Sequence, residues 1–328
     1  MKQIIVSAFG GIEVLKLREL PVPEPGKGEA RVRVITSAIS GADINMRRGT
    51  YPKMLTPPFT PGYSIIGEID KNGSGATRFA KGQRVACLTV IGGQSQFIIL
   101  PESLLHLVPD GVDPVLAVAL VLDGMTAYQM ISRKVRLQKG AKVFIHGASG
   151  AVGALLSILA RRMGLRALGT GSPGKHADLK KIGVEPFDYR QPSFVEAVRN
   201  EGGVDAVFDP LGYESFDLSY SMLRKGGTIV GYGFNGSTYA EQKRSIMPSF
   251  LKLFARNLIP DGKHATFYSI NRKSAHFAED QAELFRMLAS GEIQPPIRAL
   301  FSLTEVPEAH AYWAGGGQGI GSIVIRVS

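Results

Sequence analysis

The stretch Val143-Phe144-Ile145-His146-Gly147-Ala148-Ser149-Gly150-Ala151-Val152-Gly153 decides the fold. Its apolar start reads as a buried strand, the glycines at GxxGxxG spacing as a turn, and Val152 to Met163 as a helix. Glycines in such a turn let the backbone approach a pyrophosphate, whose charge is stabilised by exposed N–H groups and the positive helix end. The spacing departs from the usual GxGxxG, but a strand before and a helix after supply the context that a glycine turn alone lacks. The segment Gly147-Ala148-Ser149-Gly150-Ala151 also fits a relaxed nucleophile elbow with Ser149 as the nucleophile. That rival requires an acid and then a histidine further on; His264, His276 and His310 are available, none in an evident catalytic loop.

Outward from this turn, Arg166 to Gly169 reads as the next strand, so the unit is a parallel βαβ. The alternation continues with a helix at His176 to Ile182, a strand at Glu185 to Asp188, a helix at Ser193 to Asn200 and the strand Val204 to Asp209. A helix at Ser215 to Leu223 and the strand Thr228 to Tyr232 follow. A doubly wound sheet satisfies this order. Upstream lies a helix at Pro114 to Ser132, and before it the first hundred residues read as β throughout. Gln3 to Ala8, Leu15 to Leu20, Ala30 to Ile35, Ser64 to Asp70, Gln83 to Val90 and Ser95 to Leu100 are divided there by Gly and Pro, as in a barrel-like unit. After Gly236 the pattern predicts an amphipathic helix at Pro248 to Leu258, a strand at Thr266 to Ile270, a helix at Ala275 to Ser290 and a last strand at Ser322 to Val327.

A length of 328 residues exceeds the roughly 250–300 at which a single core stops growing, so two domains are expected. With 44% apolar and 20% charged residues, a disordered or collagen-like chain is excluded. The longest apolar run, Val115 to Leu122, is well short of the roughly 20 residues of a membrane span, and the N-terminus lacks a signal-peptide pattern. A lone cysteine, Cys87, permits no internal disulfide, and a cytoplasmic setting is expected. The net charge of +10 suits an anionic partner; the basic residues form no long run or RNA motif, so nucleic acid is left without specific support.

The turn after the second strand indicates which dinucleotide. NAD binders place an Asp or Glu about 20 residues past the glycines to hold the ribose hydroxyls. Here the sequence is Gly169-Thr170-Gly171-Ser172-Pro173-Gly174-Lys175-His176, without an acid. Ser172 can donate a hydrogen bond and Lys175 a positive charge to a 2′-phosphate, which favours NADPH over NADH. Ser172 as a helix cap and Lys175 as a solvated helix residue is the plainer alternative.

Several further segments carry a resemblance over essentially the whole chain. They are Phe9-Gly10-Gly11-Ile12-Glu13-Val14-Leu15, Pro21-Val22-Pro23-Glu24-Pro25-Gly26, Arg48-Gly49-Thr50-Tyr51-Pro52, Pro61-Gly62-Tyr63, Met125-Thr126-Ala127-Tyr128, Phe187-Asp188-Tyr189-Arg190, Lys225-Gly226-Gly227 and Gly291 to Pro296. Together with the Gly147 loop, they resemble the zinc-independent, quinone-oxidoreductase-like branch of the medium-chain dehydrogenases/reductases, near the vesicle amine transport protein homologues. The resemblance implies an α/β fold: a Rossmann domain at 116–270 for NADPH, and a β-rich GroES-like catalytic domain from 1–115 and 271–328. It implies that Thr126 contacts the nicotinamide side and that Gly147, Ser149, Gly150, Ala151, Val152 and Gly153 line the pyrophosphate. Ser172, Lys175 and Tyr189 would surround the 2′-phosphate, and Gly231, Gly233 and Phe234 would lie near the nicotinamide. Tyr189 has an alternative as a core residue at a strand end.

Zinc members of the superfamily carry Cys where this chain has Ser40, and His-Glu where it has Tyr63-Ser64, so the resemblance implies no metal. Without a Lewis acid, hydride from NADPH suits an activated acceptor: a quinone, or the β-carbon of an enone. Tyr51 is the candidate for protonating or stabilising the product oxyanion, since a phenol with the ordinary pKa of about 10 holds its proton at neutral pH. Water could replace it, and packing beside Pro52 is its plain alternative. Ser40, standing where relatives often have Asn, is the second catalytic candidate. The resemblance also implies a homodimer paired along Thr266 to Ile270. Enoyl thioester reduction, and a cofactor-binding, RNA-binding or scaffold role with little turnover, stay open beside the quinone and enone reading.

Overall fold

The computed structural model describes residues 1–51, 55–237 and 245–328. Pro52 of the Tyr51 motif and 238–244 of the segment after Gly236 lie outside the described residues. The chain divides into two units, one of Met1–Met125, Asn271–Gly317 and Ser322–Ser328, the other of Thr126–Ile270 with Gln318–Gly321. In chain order the elements are β1 (Lys2–Val6), β2 (Leu15–Glu19), β3 (Glu29–Ile39), α1 (Gly41–Arg48), β4 (Ile65–Asn72), β5 (Arg84–Cys87), β6 (Phe97–Pro101), β7 (His106–Leu107), α2 (Pro114–Ala119) and α3 (Met125–Arg133). There follow β8 (Lys142–Ile145), α4 (Ala151–Arg162), β9 (Arg166–Gly171), α5 (His176–Lys181), β10 (Val184–Asp188), α6 (Ser193–Asn200), β11 (Val204–Asp209), α7 (Glu214–Ser221), β12 (Leu223–Gly231), α8 (Met247–Ala255) and β13 (His264–Phe267). The last four are α9 (Phe277–Ala289), β14 (Ile297–Ser302), α10 (Val306–Ala314) and β15 (Ser322–Arg326).

In the second unit, six parallel strands run in the order β10-β9-β8-β11-β12-β13. This is the doubly wound order whose direction reverses between the first and fourth strands, here β8 and β11, and such folds bind ligands outside the carboxyl ends of the strands at that point. Parallel central strands are covered on both faces, which explains the unbroken apolar runs Val143-Phe144-Ile145 and Ala206-Val207-Phe208. Phe144, Phe194, Val207, Phe216 and Ile229 belong to one buried cluster, within which the Phe144 and Phe194 rings stack at 5.5 Å. The first unit is a curled sheet in the order β14-β15-β3-β4-β5-β7, with β6 also on β3, and β1-β2 form a separate pair. Long β3, at 11 residues, bonds β15, β4 and β6 antiparallel, and this shared pairing bends the sheet into its barrel-like form.

Helix α1 departs from the all-β reading of the first hundred residues, and α10 is a helix that the sequence reading did not place. The first has little apolar periodicity and starts on glycine; it forms because Ser40 and Asp43 make a reciprocal capping box and Gly49, at φ 69°, ends it. The second follows another capping box, Ser302 with Glu305, and carries Pro307 in its first turn. The strand read at Thr266 to Ile270 is shifted to His264–Phe267, where it pairs in register with Thr228 to Gly231. The long helix read from Pro114 is interrupted by a π turn at Leu120–Gly124. Apolar residues continue past Asp123, so Pro114–Arg133 is long and apolar enough to cross a membrane. However, 72% of its most apolar window is buried inside the fold, which makes it a core helix.

His310 on α10 is fully buried, and neither ring nitrogen has a hydrogen-bond partner among the described residues. Burial and the nearby Arg47 charge push its pKa from 6.5 down to about 3. The folded imidazole is therefore neutral. Stability is fully present above the unfolded value and is lost as pH falls from there toward the folded value, because only the unfolded chain takes up the proton. Buried His146 acts in the same direction. Urea unfolding between pH 7 and 5 should lose up to about 1.4 kcal/mol per pH unit per such histidine. His310→Leu should flatten this dependence; an unchanged slope would contradict a neutral His310.

Candidate functional site

The glycine turn follows β8 as the sequence implies. Gly147 adopts φ 64°, a conformation natural to glycine, and the Gly150 N–H closes the turn on the Gly147 carbonyl at 2.9 Å. A Cβ at Gly153 would fall 2.3 Å from the Gly147 oxygen, so only glycine lets α4 start this close to the strand end. Gly150 caps α4 in an extended conformation with no side chain hydrogen-bonded across the helix start. The first N–H groups of a twelve-residue helix are thereby left to an external acceptor, which fits a pyrophosphate. The turn is braced from several sides: Gly147 N donates to Thr170 Oγ1 (3.0 Å), Ala148 N to the Thr170 carbonyl (2.9 Å) and Gly321 N to the Ser149 carbonyl (3.1 Å).

Beneath it lies a buried polar chain that the sequence did not reveal. Ser219 donates to Asp209 Oδ2 at 2.6 Å, so its oxygen accepts from His146 Nε2 at 3.0 Å, which puts the imidazole proton on that nitrogen. Ser215 adds a bond to the same carboxylate oxygen (2.7 Å), and Leu211 N donates to Oδ1 (2.7 Å). This network ties the ends of β8 and β11 to α7 at the switch point. Burial keeps His146 below the usual imidazole range, against the pull of Asp209.

Gly171 and Asp188 pair at the ends of β9 and β10, so Ser172 and Tyr189 leave the sheet side by side, with Lys175 a turn further on. Ser172 begins the short turn Pro173–Lys175 without a side-chain cap bond. Tyr189 is 60% exposed, which removes its alternative as a core residue. The carboxylate beside it, Asp188, is held by the Arg190 guanidinium at 2.9 to 3.2 Å and lies below the usual carboxylate range. Past β12, Gly231 and Gly233 close against Phe216 and Pro210, while the Phe234 ring stacks on Phe267 at 5.5 Å and meets Phe216 at 5.8 Å. That loop is thus fixed by aromatic packing. Thr126 is buried near the start of α3. Among the described residues the Ser149 hydroxyl has no histidine partner; His264 lies on β13, three strands from β8 and so about 14 Å across the sheet.

In the other unit, Ser40 donates to Asp43 Oδ2 (2.6 Å) and accepts from Asp43 N (3.2 Å), so its hydroxyl is engaged in capping α1. Asp43 is wholly buried and takes Gly62 N on its second oxygen (2.9 Å); burial raises its carboxyl against these bonds. Tyr51 and Tyr63 meet hydroxyl to hydroxyl at 3.0 Å, their rings edge to face at 67°. Arg272 donates to the carbonyls of Leu88 (2.9 Å) and Thr89 (3.4 Å), and its charge reaches Tyr63 and Cys87. Asp123, in the π turn, accepts from Ser322 at 2.9 Å and is pushed up to about 7 by burial. Ser-x-x-Asp spacing could have indicated the Ser40–Asp43 box, but no spacing rule links two tyrosines twelve residues apart. A zinc ion does not fit: Ser40 is committed to Asp43, Tyr63 to Tyr51, and no three His, Cys, Asp or Glu side chains converge among the described residues.

Family models described as the alcohol dehydrogenase GroES-like domain and the zinc-binding dehydrogenase match residues 26–110 and 182–325. The chain is 31% identical to the quinone oxidoreductase of Rattus norvegicus over 244 residues, 72% of this chain and 74% of that protein. It is 28% identical to the synaptic vesicle membrane protein VAT-1 homolog of Homo sapiens over 94% of this chain and 82% of that one. Among solved structures, the quinone oxidoreductase of Thermus thermophilus, determined also in complex with NADPH, superposes with a TM-score of 0.81 at 29% identity, covering 100% of both chains. A GroES-like unit, a doubly wound sheet in the order above and the missing zinc ligands agree with these likenesses, and the chain belongs to the quinone oxidoreductase family, the zinc-independent branch of the medium-chain dehydrogenases/reductases.

Proposed function

We propose that this chain is an NADPH-dependent reductase of quinones or α,β-unsaturated carbonyl compounds, with Tyr51 as the proton donor. The observation that carries it is the end of β9, where Ser172 and Lys175 emerge beside exposed Tyr189, with the neighbouring Asp188 held by Arg190, next to an uncapped helix start. When bound there, NADPH supplies a hydride. Gly147, Ser149, Gly150, Ala151, Val152 and Gly153 would hold its pyrophosphate, and Ser172, Lys175 and Tyr189 its 2′-phosphate, with Thr126, Gly231, Gly233 and Phe234 toward the nicotinamide. The acceptor gains two electrons with the hydride and one proton from Tyr51, whose phenolate is reprotonated from water. Ser40, through the cap it makes with Asp43, sets the start of α1, at whose far end Tyr51 stands. A second copy would pair along the free edge of the sheet at β13.

Lys175→Ala should weaken NADPH binding about tenfold or more, the scale of a charge-assisted hydrogen bond, and leave NADH unchanged. Fluorescence titration with both nucleotides checks this, and equal losses would remove the assignment. Tyr51→Phe should lower kcat on an enone by about 10²-fold or more with NADPH affinity unaltered, while undiminished turnover would assign the proton to water. Gly153→Ala, by driving a methyl into the Gly147 carbonyl, should weaken both nucleotides together.

A further inference from the structure

We propose that Tyr63 is a positioning residue for Tyr51: the buried phenol donates its proton to the Tyr51 oxygen and leaves the Tyr51 proton free to be transferred. This inference rests on the reading of Tyr51 as the proton donor.

The hydroxyl oxygens are 3.0 Å apart, and either could donate. Their surroundings differ. Tyr63 is 7% exposed and sits on a segment fixed at three points: Val90 N donates to its carbonyl (3.1 Å), Asp43 takes the Gly62 N–H (2.9 Å), and Thr89 donates to the Gly62 carbonyl (2.7 Å). Tyr51 is half-buried and follows the left-handed Gly49 that ends α1. Among the described residues, the Tyr51 oxygen is the one hydrogen-bond acceptor for the Tyr63 proton. Were Tyr51 the donor instead, the Tyr63 O–H would have no acceptor among the described residues, an arrangement folded proteins avoid in their interiors.

Charge placement points the same way. The groups that face Tyr63 are Tyr51, Asp43 from α1 and Arg272 from the segment before α9. Burial dominates and pushes the Tyr63 phenol far above its ordinary range; Tyr51 and Asp43 push it further, and Arg272 opposes them. Tyr63 therefore keeps its proton, and a negative charge formed on the Tyr51 oxygen already faces a donor. A hydrogen bond to the charged form favours that form, so the Tyr63 hydroxyl stabilises the charge that develops on Tyr51 during proton transfer. The Tyr51 O–H bond breaks, the proton joins the substrate oxyanion or carbanion, and the Tyr63 proton stays on its own oxygen.

The test combines kinetics with a titration that needs no turnover. Tyr63→Phe should lower kcat about tenfold with KM for NADPH unchanged, and Tyr51→Phe/Tyr63→Phe should be no slower than Tyr51→Phe. In the titration, the phenolate absorbance that disappears in Tyr51→Phe should have its midpoint at higher pH in Tyr63→Phe than in the parent protein. Tyr63→Met, which fills the site without an oxygen, provides the same readout if Tyr63→Phe folds poorly. Additive losses or an unmoved midpoint would overturn the inference. Undiminished turnover of Tyr51→Phe would instead overturn the proton-donor reading, and the midpoint would still show whether Tyr63 donates.

Discussion

A carbonyl oxygen at Gly147 occupies the space a methyl group on residue 153 would need, and the nucleotide-binding unit is organised around that contact. Because the turn and helix touch there, α4 begins at the end of β8 with its first N–H groups clear of any side-chain cap. The helix dipole and those donors then reinforce each other at one place. The Asp209–Ser219–His146 chain supports the contact from below by joining the two strands between which the sheet changes direction. Backbone proximity, held by a buried and fully bonded carboxylate, is what this unit provides to a phosphate.

The GroES-like unit buries several titratable groups. Asp43 and Tyr63 are shifted toward their protonated forms by desolvation, and Asp123 is brought to about 7. Arg272 sits near Tyr63, bonded to the Leu88 and Thr89 carbonyls.

The sheet was readable because buried parallel strands are written as short apolar runs between glycine turns, and Val204–Asp209 and Ser193–Asn200 fall where the pattern places them. Helix α1 escaped because its stability comes from two caps and tertiary packing, with few apolar residues to mark a face. The π turn at Leu120–Gly124 is likewise invisible to a periodicity of 3.6, since one extra residue is absorbed inside an otherwise regular helix. At the site, glycine spacing and the acid-free second turn were legible as local chemistry. The meeting of Tyr51 with Tyr63, the placement of Arg272 and the network under His146 arise from strand pairing between distant segments, which no local pattern encodes.

Tyr189 carries almost no packing, being 60% exposed, whereas position 153 tolerates no added atom. Substitutions at exposed positions typically change stability by no more than about 0.5 kcal/mol. Residue changes can therefore accumulate at the end of β10 while the turn between β8 and α4 stays fixed. The surface at the strand ends is thus free to diverge separately from the scaffold beneath it.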